Sequence, residues 1–88
     1  SHEIHVSKTF LRSLSLLPDK IQPSIIEFLY GSLVSDPYRG GKPLVEPLDG
    51  LWSARRGEYR ILYEVDDSAI VIRVMAVRHR RDAYRSGS

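Results

Sequence analysis

Residues 51–55, 58–65 and 69–77 each read as a half-buried strand, and only Arg56-Gly57 and Asp66-Asp67-Ser68 separate them. Connections this short join antiparallel neighbours, because a parallel return needs a crossover of about a dozen residues or more. The second half of the chain is therefore expected to form an antiparallel meander, and what precedes it has to cover the apolar face.

Ahead of the meander, residues 3–7 alternate, with Ile4 and Val6 on one side and Glu3 and His5 on the other, as a short strand does. Phe10, Leu14 and Leu17 then recur at helical spacing, with Leu11 widening the stripe and Pro18 ending it. Asp19, with Gln22 three positions on, has the form of a capping box for a second helix whose first turn accommodates Pro23. The stripe of that helix is Ile25, Ile26, Leu29 and Leu33; Gly31 marks either a close helix approach or an early end. Residues 36–50, DPYRGGKPLVEPLDG, hold three prolines and three glycines and read as a loop with a brief extended piece at Leu44-Val45. The expected fold is α+β: an N-terminal strand and an αα-hairpin packed on one face of an antiparallel β-meander sheet.

An 88-residue chain that is 42 % hydrophobic makes one domain, 1–88, with residues 1–2 and 86–88 read as frayed ends or cloning remnants. The absence of cysteine excludes a disulfide scaffold and a thiolate metal site, and fits a reducing compartment, so a cytoplasmic location is expected. No apolar run approaches the roughly 20 residues of a membrane span, and no leader pattern opens the chain, so no membrane partner is expected.

Net charge is only +2, but it is unevenly spread. Residues 1–50 carry five basic and six acidic side chains, whereas residues 51–88 carry eight and five. Ten of the thirteen basic residues are arginine, whose planar fork matches phosphate and keeps its charge when partly desolvated. This composition points to a polyanion partner.

Register decides whether the arginines gather. With residues 67 and 68 as a two-residue turn, Tyr59, Ile61, Tyr63 and Val65 lie opposite Ala76, Val74, Ile72 and Ile70 and face the helices. Arg60 then stands on the other face, opposite Met75. A turn at Arg56-Gly57 sets Ser53 opposite Arg60 and Arg55 opposite Glu58, so Arg55, Arg60 and Arg73 converge on one polar face near the basic tail RHRRDAYR. The plainer alternative is a solvated face on which these arginines pair with Glu58 and Glu64 across strands.

The order of elements, with GKPLVEPLDGLWSARRGEYRILYEVDD and RHRRDAYR, resembles the RelE/ParE superfamily of toxins from type II toxin–antitoxin systems over residues 3–85, and most closely its RelE-like mRNA interferases. The resemblance implies a metal-independent endoribonuclease without a cofactor. Such a protein enters the ribosomal A site, cleaves the mRNA codon by 2′-hydroxyl attack and so inhibits translation. It also implies neutralisation by a cognate antitoxin, with operator DNA reached only through that partner.

Carried onto this sequence, the resemblance makes Arg60 the phosphate-stabilising arginine and Arg55 or Arg56 the second basic residue before the glycine turn. Arg78, His79 and Arg80 fall where relatives keep basic or histidine residues, and Tyr84 matches a C-terminal aromatic that stacks on or orients the target base. Relatives with a lysine pair before the turn find no counterpart in LWSARR, so Lys42 or the arginines, Arg73 among them, are expected to supply that charge. Glu46, near the GKP word, and His79 are the candidate general bases. No metal ligand set is expected. Two rival readings remain: a ParE-like inhibitor of DNA gyrase without nuclease activity, and an inactive antitoxin-binding module.

Overall fold

The computed structural model describes residues 2–45 and 50–82. Seven elements carry the fold: β1 (Glu3–Val6), α1 (Lys8–Ser15), α2 (Gln22–Phe28), β2 (Gly41–Pro43), β3 (Trp52–Arg56), β4 (Tyr59–Asp66) and β5 (Val71–His79). They build one five-stranded sheet in the order β1-β5-β4-β3-β2. Strands β3 to β5 are antiparallel neighbours as expected; β2, in a stretch expected to be loop, adds an antiparallel edge strand, and β1 lies parallel beside β5 and makes the sheet mixed.

The helices cover one face. Phe10, Leu14, Ile25, Leu29 and Leu33 meet Ala54, Ile61, Tyr63, Ile72, Val74 and Val77 in a single buried cluster. Contacts of this kind, about 1.5–3 kcal/mol per fully buried large side chain, fix the helices on that face. Ser7 starts α1, its hydroxyl accepting the Phe10 N–H at 2.9 Å.

The expected Asp19 cap does not form. Ile21 occupies the cap of α2 without a side-chain bond, and the Gln22 amide instead donates to the Leu17 carbonyl at 3.0 Å, closing the turn between the helices. A π-helical turn, Leu29–Leu33, continues α2 and contains Gly31. Nothing lies within 4 Å of a Cβ placed on Gly31, so neither expected role, close packing nor an early helix end, applies. The extended piece expected at Leu44-Val45 falls earlier, as β2, with Leu44 N–H still donating to the Leu51 carbonyl. Gly41 in β2 is required by packing, because a Cβ there would collide with the Tyr63 hydroxyl.

Both hairpin registers differ from expectation, and both for local reasons. The β3–β4 turn is Gly57-Glu58, with Gly57 at φ +61°, which sets Arg55 opposite Arg60. A two-residue shift preserves side-chain parity, so Arg55 and Arg60 share a face as anticipated. Between β4 and β5 the Asp66 carboxylate accepts the Ala69 N–H at 3.0 Å, which stretches the connection to residues 67–70 and leaves Ile70 at φ +56°. Farther along, Leu62 pairs with Ala76 but Tyr63 pairs with Val74, so Met75 bulges from β5 and the alternation of that strand changes phase.

Candidate active site

Two rows of side chains stand back to back at one end of the sheet. On the open face Arg55, Arg60 and Arg78 lie in register across β3, β4 and β5. On the helix face the row is Arg56, Tyr59 and His79. Residues directly opposite in neighbouring strands have Cβ atoms about 5 Å apart, so the open-face row holds three guanidinium groups close together.

Like charges at that spacing repel, and no described residue compensates Arg60. Its side chain makes no hydrogen bond or ion pair with a described residue, and its Nη1 is buried without a partner. Arg78 is likewise unpaired among the described residues. Arg55 donates through Nε to the Gly57 carbonyl at 3.2 Å, which fixes the stem and leaves the fork free. The next row on this face is Ser53, Leu62 and Ala76, with Ser53 and Ala76 buried on either side of the half-buried Leu62. An orphaned guanidinium nitrogen beside two further arginines is an arrangement that suits an anion.

The remaining candidate residues divide clearly. Lys42 pairs with Ser53 and so sits exposed on the arginine face, one step along the sheet from the row. Arg73 is on that face but does not converge with the others, contrary to expectation: its Nη1 lies 3.1 Å from both Glu64 and Asp66. The Ala69 N–H and then Arg73 hold the Asp66 carboxyl below its ordinary range. Arg80 is paired with Glu58 at 2.9 Å, and its N–H donates to the Glu58 carbonyl, pinning the chain after β5 to the β3–β4 turn. The cross-strand ion pairs of the plainer reading thus exist, but they occupy Arg73 and Arg80 rather than Arg55 and Arg60.

Arg56, the alternative to Arg55 as the second basic residue before the glycine turn, points to the opposite face in register with Tyr59. His79 also departs from its expected place. It packs edge-on against Tyr59 with ring centroids 5.5 Å apart, its Nδ1 accepts the Arg81 N–H at 3.3 Å, and it stands across the sheet from Arg60. The Met75 bulge is the cause, since it turns Val77 and His79 toward the helices and Ala76 and Arg78 away. A cleft of about 640 Å³ opens there between Leu16, Leu17 and Pro18 of the first helix end and Tyr59, Val77 and His79. Glu46 and Tyr84 lie outside the described residues.

The sequence does hold a signal for the bulge. Arg73 and Arg78 are five residues apart, and on a regular strand an odd separation puts two side chains on opposite faces. Both reach the open face only with one extra residue between them. Among the described residues no group of three or more His, Asp or Glu side chains is placed to hold a metal ion, and no helix is long and apolar enough to cross a membrane.

A mixed five-stranded sheet under two helices is the architecture of RelE-like toxin structures. Residues 4–84 match the family described as the ParE toxin of the type II toxin–antitoxin system parDE. The chain belongs to this RelE/ParE superfamily and is the toxin component of a type II toxin–antitoxin system. Toxin RelG of Mycobacterium tuberculosis is 42 % identical over 84 residues, covering 96 % of this chain and 97 % of its own. Toxin RelE of the same organism is 39 % identical over 84 residues, covering 96 % and 87 %. In the crystal structure of the toxin–antitoxin complex RelBE2 from M. tuberculosis, a chain 40 % identical superposes with a TM-score of 0.86, covering 90 % of this chain and 98 % of that one.

Proposed function

We propose that this toxin is a ribosome-dependent mRNA endonuclease that cuts the A-site codon without a metal ion. The observation that carries the reading is Arg60: a guanidinium with a buried, unpartnered nitrogen, flanked in register by Arg55 and Arg78. In the reaction the ribose 2′-oxygen loses its proton and bonds to the adjacent phosphorus. The bond from phosphorus to the 5′-oxygen breaks, and that oxygen takes up a proton. The products are a 2′,3′-cyclic phosphate and a 5′-hydroxyl. Negative charge grows on the non-bridging oxygens in the transition state, and the guanidinium groups of Arg60 and Arg78 stabilise it as a metal would. Arg55 and Lys42 hold the flanking backbone phosphate, since their exposed positions suit binding more than chemistry.

Arginine stays protonated and serves as a clamp, so a separate group removes the 2′-proton. With His79 on the helix face, that role falls to Glu46, and Tyr84 orients the target base. The partner is a cognate antitoxin, by likeness to the toxin solved in complex within RelBE2, and operator DNA is contacted only through it. The toxin acts in the cytoplasm, where the ribosomes are.

The reading is tested by inducing the chain and its Arg60→Ala variant and mapping mRNA 5′ ends in translated frames, with purified ribosomes and chelator as the second arm. In-frame cuts by the parent alone, unaffected by chelator, are expected. Growth arrest with no cuts but with trapped gyrase–DNA complexes would transfer the protein to the gyrase-inhibiting branch. Cells unaffected by the intact chain would leave only antitoxin binding.

A further inference from the structure

Regular alternation along β5 would deliver Arg78 to the wrong side. Ile72 and Val74 point into the core, so an unbroken strand would send Ala76 and Arg78 after them and leave Val77 on the open face. The extra residue at Met75 reverses this, and what holds it comes from α1. Strand β1 stops at Val6 opposite Val74, so beyond that point the outer edge of β5 has no strand partner. Two serine hydroxyls replace it. Ser7 Oγ donates to the Met75 carbonyl at 3.0 Å, and Ser13 Oγ accepts the Val77 N–H at 3.1 Å while donating to the Phe10 carbonyl at 2.8 Å. The polar backbone that the bulge removes from the ladder is thus satisfied on both sides of the extra residue.

We propose that Ser13 is a positioning residue for the anion site: its hydroxyl, assisted by that of Ser7, fixes the Met75 bulge and so turns Arg78 into line with Arg60. The inference rests on reading the arginine row as the phosphate site of the nuclease. Ser13 lies on the helix side and does not touch RNA; it acts through the phase of β5. Losing its hydroxyl leaves the Val77 N–H in a half-buried edge without an acceptor, and the strand relieves this by moving the bulge, which carries Arg78 off the open face.

The test compares Ser13→Thr with Ser13→Val in the 88-residue chain. The two variants are nearly isosteric and both β-branched, so strain and helix propensity are shared and only the hydroxyl differs. Inorganic pyrophosphate is titrated while the Nε–H resonances of Arg60 and Arg78 are followed. In the parent and in Ser13→Thr both resonances are expected to shift together. In Ser13→Val, Arg78 drops out and the apparent Kd rises about tenfold, the equivalent of one charge-assisted hydrogen bond. Parental affinity with both resonances shifting in Ser13→Val would overturn the inference, as would an Arg78 that does not respond in the parent. Should Ser13→Val fail to fold, Ser7→Ala removes the hydroxyl on the other side of the bulge; because it also uncaps α1, it is read through the Arg78 resonance and pyrophosphate Kd of the folded variant, with parental values of both overturning the inference. Cleavage of mRNA is scored separately. A parent that binds pyrophosphate through both arginines yet cuts nothing removes the endonuclease reading and leaves the positioning role intact.

Discussion

The Tyr63 hydroxyl donates to the Pro37 carbonyl across 26 residues of sequence, within the buried region between the end of the helical layer and the sheet. Burial, with Asp36 and Tyr38 nearby, raises the Tyr63 pKa from 10.0 to about 12. A folded-state pKa above the unfolded one favours the neutral phenol in the fold. Its contribution to stability is full below pH 10 and is lost as pH rises through 12. Tyr63→Phe should cost about 1–2 kcal/mol at neutral pH by orphaning the Pro37 carbonyl. It should also flatten the alkaline limb of the unfolding profile. A mutant limb as steep as the parent's would mean that another group governs alkaline unfolding.

Gly41 is coupled to the same hydroxyl. Gly41→Ala should destabilise by roughly 1–3 kcal/mol, because its Cβ needs the space that the phenol oxygen occupies. Much of that loss should return in Gly41→Ala/Tyr63→Phe, where the obstructing oxygen is gone. Denaturant midpoints across the double-mutant cycle measure the coupling; strictly additive effects would contradict it.

Arg60 is expected to be a costly residue for the fold. Replacing it with methionine keeps the stem but removes a charge set between Arg55 and Arg78, together with a buried unpartnered nitrogen. Stability should rise by about 1 kcal/mol at low salt, and the gain should shrink as salt screens the repulsion. Added phosphate should raise the melting temperature of the parent but not of the variant. A destabilised Arg60→Met would mean that the guanidinium carries a structural contact.

Arg73 should behave oppositely to Arg60. Its guanidinium is engaged by Glu64 and Asp66, so Arg73→Ala should lower stability only slightly, leave the proposed mRNA cleavage within a few fold of the parent, and keep most of the acid sensitivity. The depressed Asp66 pKa means stability present above the ordinary aspartate range and lost as pH falls below it. The Ala69 N–H is the larger cause, so Asp66→Asn should flatten the acid limb more than Arg73→Ala does. Acid unfolding curves of both variants decide the order.

Ile70 sits at φ +56°, a conformation that costs a β-branched residue roughly 1–2 kcal/mol. It is also 55 % exposed, so little packing is lost on replacement. Ile70→Asn, which tolerates the left-handed region, should raise stability by about 1 kcal/mol in thermal unfolding. A lower midpoint would show that the side chain packs more than its exposure indicates.

Much of this molecule follows from local rules. Helical spacing of Phe10, Leu14 and Leu17 and of Ile25, Leu29 and Leu33 marks both helices, and short glycine- and aspartate-bearing turns dictate the meander. The shared face of Arg55 and Arg60 is also legible, because side-chain alternation has a period of two and survives an even shift in register. Three features do not follow from strand spacing. Arg73 is neutralised by Glu64 and Asp66 only once the β4–β5 connection lengthens. His79 is withdrawn from the arginine face, and Arg78 joins it, only because β5 changes phase at Met75. That phase rests on hydroxyls 68 and 64 residues away in sequence, those of Ser7 and Ser13. Strand periodicity is a property of neighbouring residues, whereas a bulge survives where distant partners satisfy the backbone it frees, so only the packed fold decides which arginines meet.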